Sequence, residues 1–283
     1  MAAAPASSRR SRNAPRDVAA VPIIATQDPD FMLSFARGLM AIRAFGEGQA
    51  ALSVGQVAKL SGLPRTSARR CLHTLVVLGY ATAAGGRYAL TPAMLALGQA
   101  YLTSTSVARV AQPILERVSE ALDESSSVAV LDGQEIVYVA RAATRRILSV
   151  NLSVGSRLPA ACTSMGRVLV AALEDDARAK FLRRATLHQY TDRTITDRAA
   201  LAAELDKVAR QGFAVVDQEL ELGLRSCAVP IARPDGIVTA ALNVGVHVSR
   251  RDVATLTRDV LPTLRRAASE ISAALGAAPP HQP

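Results

Sequence analysis

The chain has 283 residues, 49% of them hydrophobic, and a net charge of +9, enough apolar material for one small core and one of ordinary domain size. Residues 1 to 100 carry 11 Lys+Arg against 4 Asp+Glu, and the remainder 22 against 20, so the basic excess belongs to the N-terminal part. No apolar run approaches membrane-spanning length, which argues against a membrane partner. Cys71, Cys162 and Cys227 are odd in number and widely separated, which excludes a disulfide framework or a paired zinc site and points to a reducing cytoplasm. His73, His188, His247 and His281 share no helical or hairpin spacing, so no metal or other cofactor is expected.

The first 30 residues combine Ala, Pro and Ser with Arg9, Arg10, Arg12 and Arg16 but lack the apolar centre of a secretory signal. They are expected to form a disordered basic tail, able to touch phosphates or simply stay solvated.

Residues 31–92 predict a winged helix-turn-helix. Ser53 is the N-cap of a helix, with Gln56 placed to return the bond and Val54, Val57, Ala58 and Leu60 as its apolar stripe. Gly62 ends it in the left-handed conformation, and Pro64 suits the first turn of the next helix. There Ala68, Leu72, Leu75 and Val76 form the packing face, while Arg65, Arg69 and His73 run along another, with Thr66 and Arg70 beside them. No Asp or Glu occurs from Val54 to Leu90, whereas a solvated helix ordinarily mixes both signs. Arginine forks bond guanine edges or phosphate, and Thr66 and Ser67 bond either. Gly85 and Gly86 separate two short extended segments, a hairpin wing that carries Arg87. The expected DNA contacts are therefore Arg65, Thr66, Ser67, Arg69 and Arg70, with Arg87 on the wing adding a phosphate contact. Binding of that kind weakens steeply with salt.

Thr91 and Pro92 begin a capped linker helix over residues 93–106, and Val110, Ile114, Val118 and Leu122 continue at helical spacing with Pro113 at a first turn or kink. From Ser127 the period changes to two. Extended segments flank Asp132-Gly133, and a third is expected at Ile147–Val150. Helices at 163–173, 175–185 and 197–211 follow, then strands at 213–216, 226–232 and 237–246, and a long closing helix over 251–275 that Pro262 bends or restarts. The fold class is α+β: a winged helix-turn-helix, a helical linker, and a domain over residues 107–277 with a central antiparallel sheet. A short disordered tail follows over residues 278–283.

Together with the preceding FARGLMAIRAFGEG, the SVGQVAKLSGLPRTSARRCLHTLVVLGY stretch resembles the DNA-binding domain of the IclR family of bacterial transcription regulators. LPAACTSMGRVLVAAL and GFAVVDQELELGLRSCAVPIARPDG resemble that family's effector-binding domain, which is similar to a GAF domain. LGLRSCAVPI and the triplet TSM are most similar to the subgroup controlling protocatechuate, p-hydroxybenzoate and beta-ketoadipate catabolism. The resemblance implies a cytoplasmic homodimer or homotetramer on double-stranded operator DNA. It also implies a small organic acid effector: protocatechuate, p-hydroxybenzoate or beta-ketoadipate, or else an unrelated small acid. By the same resemblance the effector contacts fall on Thr163, Ser164, Met165, Ser226, Asn243 and Gly245. Val216 and Ser226 depart from members binding small keto acids, which tend to carry an acidic residue and a cysteine at those places. Arg141, Arg225 and His247 are the cationic candidates for the effector's carboxylate, beside backbone donors at the start of the Thr163 helix. The competing class is a hydrolase built on Ser164, His247 and Asp217, but no G-x-S-x-G elbow surrounds the serine, so no catalytic residue is expected.

Overall fold

The structure, a computed structural model, describes residues 28–46, 49–104, 106–144 and 152–277. All but the last three residues of the expected N-terminal tail, the segment at 147–150 and the tail at 278–283 lie outside the described residues. Two compact units divide between Gln99 and Ala100.

The first unit contains α1 (Leu33–Arg43), β1 (Leu52–Ser53), α2 (Val54–Ser61), α3 (Arg65–Val77), β2 (Ala81–Ala84) and β3 (Arg87–Leu90). Helix α4 (Met94–Ser104) crosses the division. Ser53 caps α2 reciprocally: its hydroxyl accepts from the Gln56 N–H at 3.3 Å, and the Gln56 carbonyl oxygen accepts from the Ser53 N–H at 2.9 Å. Gly62 closes α2 at φ +70°. Pro64 stands one place earlier than its sequence suggests, as the N-cap of α3 with ψ 142°, because the chain must still be extended there to turn the corner. Gly85 and Gly86, at φ +56° and +75°, make the two-residue turn between β2 and β3. Strand β1 pairs with β3 through Leu52 and Ser53, a two-residue strand too short to show any alternation in sequence. Thr91 does not cap α4 with its side chain; the hydroxyl donates to the Gly79 carbonyl at 2.6 Å. Ala41, Leu52, Val57, Ala68 and Leu72 form the core of this unit.

The second unit is a six-stranded antiparallel sheet, in the order β6-β5-β4-β9-β8-β7, between two helical layers. Its elements are α5 (Ser106–Leu122), β4 (Ser125–Asp132), β5 (Glu135–Ala142), β6 (Arg157–Pro159), α6 (Ser164–Ala171), α7 (Asp175–Arg184), α8 (Arg198–Gln211), β7 (Ala214–Asp217), β8 (Leu224–Ala232) and β9 (Val238–His247). The expected closing helix is divided into α9 (Val253–Thr255), a π-helical turn over Leu256–Val260, and α10 (Leu261–Ala277). The widened turn directly precedes Pro262, whose ring and missing N–H disfavour a regular α turn there. Helices α5 and α10 cover one sheet face over Val128, Val229, Leu242 and Val244, and α6, α7 and α8 cover the other over Ala129, Ile136, Ala228 and Ala241. Pairing between β4 and β5 slips after Val128, so that Val139 has no opposite residue. This bulge resets the alternation of β5, and Arg141 emerges on the same face as Ile136 and Tyr138. Among the described residues no helix is long and apolar enough to cross a membrane.

Candidate functional site

In the first unit, burial of Ala68, Leu72 and Leu75 turns the opposite face of α3 outward. Arg65, Thr66, Arg69, Arg70 and His73 are exposed and Ser67 is half-buried. No described carboxylate pairs with Arg65, Arg69 or Arg70, so their guanidinium groups stay available. Arg87 is exposed at the start of β3, but its Nη2 donates to the Ala51 carbonyl at 2.6 Å. The guanidinium is thereby held against the β1 end of the small sheet with its other N–H groups still open.

In the second unit, a cavity of about 290 Å3 opens where the sheet face beneath α6 turns polar. Strand register explains its floor. Arg141, Ser127 and Asn243 are direct neighbours across β5, β4 and β9, and Ser125, Gly245, Ser226 and Val216 form the next row across β4, β9, β8 and β7. Tyr138, Leu152, Leu158 and Cys162 add walls, the start of α6 closes one side, and residues Glu219 to Leu224 form the cover, with His247 at the end of β9. Five of the six effector contacts implied by the resemblance, Thr163, Ser164, Ser226, Asn243 and Gly245, line this one cavity together with two of the three cationic candidates, Arg141 and His247. Met165 does not; at 1% exposure it packs in the core with Val168 and Leu169.

The polar groups divide into committed and uncommitted ones. Thr163 is the N-cap of α6, its hydroxyl accepting from the Gly166 N–H at 3.3 Å and donating to the Pro159 carbonyl at 3.0 Å. Ser164 follows at 1% exposure, its buried hydroxyl without a hydrogen-bond partner among the described residues, which is costly unless something else supplies one. Arg141 Nη1 donates to the Ser127 hydroxyl at 3.0 Å, and no described carboxylate pairs with it. Burial pulls the Arg141 guanidinium below its ordinary value, the effect expected of a cation held away from water, with Tyr138 partly opposing it. Burial likewise pushes the Tyr138 phenol up to about 12, so it stays a neutral hydroxyl.

Arg225 does not face the cavity. It donates to Asp217 at 2.8 Å and to the Arg251 carbonyl; burial raises the Asp217 carboxyl, but the Arg225 bond and charge, Gln218 and Arg193 together hold it below the usual range. His247 lines the cavity, yet its Nδ1 lies 2.7 Å from the Ser249 hydroxyl. Among the described residues Ser164, His247 and Asp217 are therefore not brought into one hydrogen-bonded set. Cys162 is a neutral thiol in the wall, pushed up to about 12 by burial first and by Glu219 second.

The cover is latched from beneath. Arg167 on α6, 2% exposed at its side chain, bonds Glu219 at 2.6 Å, and Arg167 Nε also donates to the Ala161 carbonyl. Glu219 Oε2 also accepts from the Ile195 N–H at 3.2 Å, and the Thr191 hydroxyl donates to the Gln218 carbonyl at 2.6 Å. Sequence reasoning missed this latch because 52 residues separate its two charges. It missed the serines of β4 as well, for serine reads as a turn residue until its strand partners are known.

A helix-turn-helix with an unpaired cationic helix and a polar cavity inside a helix-covered sheet now stand together. Residues 34–85 match the IclR helix-turn-helix domain and residues 99–273 the bacterial transcriptional regulator IclR C-terminal domain. The chain belongs to the IclR family. Among IclR relatives, the Pca regulon regulatory protein of Pseudomonas putida is 51% identical over 247 residues, 87% of this chain and 85% of that protein. A crystal structure of a transcriptional regulator from Rhodococcus sp. RHA1 is 44% identical, with a TM-score of 0.77 over 87% of this chain and 99% of that one. The IclR homolog of Microbacterium hydrocarbonoxydans, solved in complex with 4-hydroxybenzoate, is 26% identical, with a TM-score of 0.75 over 87% of this chain and all of that one (100%). The subgroup indicated by LGLRSCAVPI thus has a relative of half-identical sequence named for the Pca regulon.

Proposed function

We propose that this IclR-family regulator controls aromatic-acid catabolic genes and that its cavity takes a small aromatic or keto acid, with protocatechuate, p-hydroxybenzoate and beta-ketoadipate as the candidates. The observation that carries the proposal is Arg141, a half-buried cation in the cavity wall that among the described residues donates to the Ser127 hydroxyl and has no carboxylate partner. A partly desolvated cation is favoured by a nearby counter-charge, and a ligand carboxylate supplies that charge. The unpartnered Ser164 hydroxyl at the start of α6 offers a second polar contact, favoured by the positive end of the helix. A volume near 290 Å3 suits a single ring or a short chain, at the small end of ligand pockets. The complex of the M. hydrocarbonoxydans homolog with 4-hydroxybenzoate supports the same ligand class.

Calorimetric titration with the three acids tests this. One of them is expected to bind at one site, and Arg141→Ala to weaken it about tenfold to a hundredfold, since a hydrogen bond to a charged group is worth about 1.5–3 kcal/mol. Parent-like affinity in the variant removes Arg141 from the site, and no binding by any of the three sends the assignment to other small acids.

On DNA, the exposed Arg65, Thr66, Arg69 and Arg70 with half-buried Ser67 enter the groove, and Arg87 reaches the flanking backbone. The protein acts in the cytoplasm as a homodimer or homotetramer, and two winged units then meet two half-sites of an operator. The apolar Phe31, Met32, Phe35 and Leu39, all exposed around α1, support association of copies. Each arginine bonding only phosphate is expected, when changed to alanine, to weaken all sequences alike and to reduce the salt slope of log K by about 1. An arginine reading a base instead relaxes preference at one position. Salt titrations against selected and random duplexes distinguish them, and slopes equal to the parent's for all four arginines remove α3 and the wing from the interface.

A further inference from the structure

Strand β4 opens with three consecutive serines, Ser125, Ser126 and Ser127, at 3%, 0% and 1% exposure. Alternation sends Ser125 and Ser127 into the cavity and Ser126 to the opposite face. There Ser126 sits in a transverse row with Ala142, Val244, Cys227 and Val215, all of them apolar. A hydroxyl in such a row is unfavourable unless it is bonded, and alanine, valine and cysteine fill the other places. Besides its place in the sheet ladder, Ser126 is bonded to α5. Its N–H donates to the Ser119 hydroxyl at 3.1 Å, its hydroxyl donates to the Leu115 carbonyl at 2.9 Å, and the two hydroxyls lie 2.8 Å apart. Ser119 in turn donates to the Ala142 carbonyl at 3.1 Å, and Gln112 to the Arg141 carbonyl at 3.3 Å.

One face of α5 is thus fastened to Ser126, Arg141 and Ala142, at and beside the Ser127–Arg141 pair whose side chains meet inside the cavity. We propose that the buried Ser119–Ser126 pair is the joint by which occupancy of the cavity acts on α5. The proposal rests on the cavity being the effector site. A carboxylate that draws Arg141 away from Ser127 displaces the ends of β4 and β5. Apolar contacts let a helix slide over such a displacement, whereas directional bonds of fixed length carry the helix with the strands. Helix α5 begins at Ser106, two positions after α4 ends at Ser104, and α4 continues from the winged unit, so a shift of α5 is delivered to the chain that leads to DNA. Ser119 and Ser126 are positioning residues: neither touches ligand or DNA. Control of this kind is a coupling free energy between the two sites.

The test uses the full chain, a duplex that it selects from a random pool, and saturating p-hydroxybenzoate, protocatechuate or beta-ketoadipate. The variant is Ser119→Ala with Ser126→Ala, which removes both hydroxyls together; it takes the acceptor from the Ser126 N–H, so its unfolding midpoint is measured beside the parent's. The parent is expected to change its DNA affinity by roughly 5–150-fold on ligand binding. The double variant is expected to keep ligand affinity and ligand-free DNA affinity within about twofold of the parent while its coupling falls below about twofold. A coupling factor equal to the parent's overturns the proposal. Ser119→Ala alone, which retains the Leu115 bond of Ser126, is expected to give an intermediate factor and serves if the double variant does not fold.

A ligand-free arm separates this proposal from the effector assignment. Hydrogen exchange of the α5 amides at 112–122 is compared between parent and Arg141→Gln, and between the double variant and its own Arg141→Gln. The joint predicts a response, on the order of threefold in exchange rate, in the first comparison and none in the second. Equal responses in both overturn it, whichever acids bind.

Discussion

Glu219→Ala is expected to destabilise the second unit by about 3–5 kcal/mol, because it leaves Arg167 charged, buried and unpaired. Among the described residues Arg167 is the largest fully buried side chain, at 2% exposure, and its Nη2 has Glu219 as its carboxylate at 2.6 Å. The cost lies in the orphaned charge more than in the lost contact. Two companion variants separate the two effects. Glu219→Gln keeps an oxygen acceptor for Arg167 and should lose less, while Arg167→Met combined with Glu219→Leu removes both charges and should lie near the parent or above it. Thermal unfolding of the four proteins measures the order, with about 2–4 °C expected per kcal/mol for a unit of this size. A Glu219→Ala midpoint within a degree or two of the parent's means that water reaches Arg167 and that the pair is not a latch. The same variant should weaken effector binding, since Glu219 anchors the cover of the cavity to α6 and to the Ile195 N–H.

Gly166→Ala is expected to shift α6 bodily. A Cβ at this position would lie 2.2 Å from the Ala160 carbonyl oxygen, 2.3 Å from its Cα and 2.6 Å from its carbonyl carbon. These are backbone atoms of the short 3-10 turn Ala160–Cys162, so no side chain can swing aside. The helix must withdraw, and with it Ser164 and the capped N-terminus beside the cavity. Overpacking of this kind costs roughly 1–3 kcal/mol and more where backbone blocks backbone. Gly98 in α4 is the control, with nothing within 4 Å of its Cβ position. There alanine should be neutral or stabilising by up to about 1 kcal/mol, as helix propensity predicts. Unfolding midpoints and effector titration of both variants read the contrast. Equal behaviour of the two would mean that α6 packs more loosely against the turn than its geometry requires.

What was legible in sequence was local. The reciprocal Ser53–Gln56 cap, the left-handed Gly62, the Gly85-Gly86 turn and the carboxylate-free face of α3 are each settled within four or five residues by dihedral preference, capping chemistry and helical period, and each appears in the structure as expected. The period-two segments flanking Asp132-Gly133 and the helices after them were legible to within a few residues for the same reason, whereas the short edge strand β6 was not expected. The family likewise follows from contiguous motifs such as LGLRSCAVPI and TSMGRVL.

What only the tertiary structure decided depends on register and on distant partners. Simple alternation along β5 would put Arg141 on the face opposite Tyr138; the unpaired Val139 reverses that and brings Arg141 beside Ser127 and Asn243. Arg225, an equally plausible cation by sequence, lies on the other face and is bound to Asp217. Arg167 reads as an ordinary helix arginine until Glu219 is found beneath it, and Ser126 as an ordinary strand serine until Ser119 of α5 meets it. Caps and turns are short-range contacts that one stretch of chain satisfies by itself, whereas the cavity and its latch are made by residues tens of positions apart, and the place of Arg141 among them is set by a single slipped residue in a strand pair.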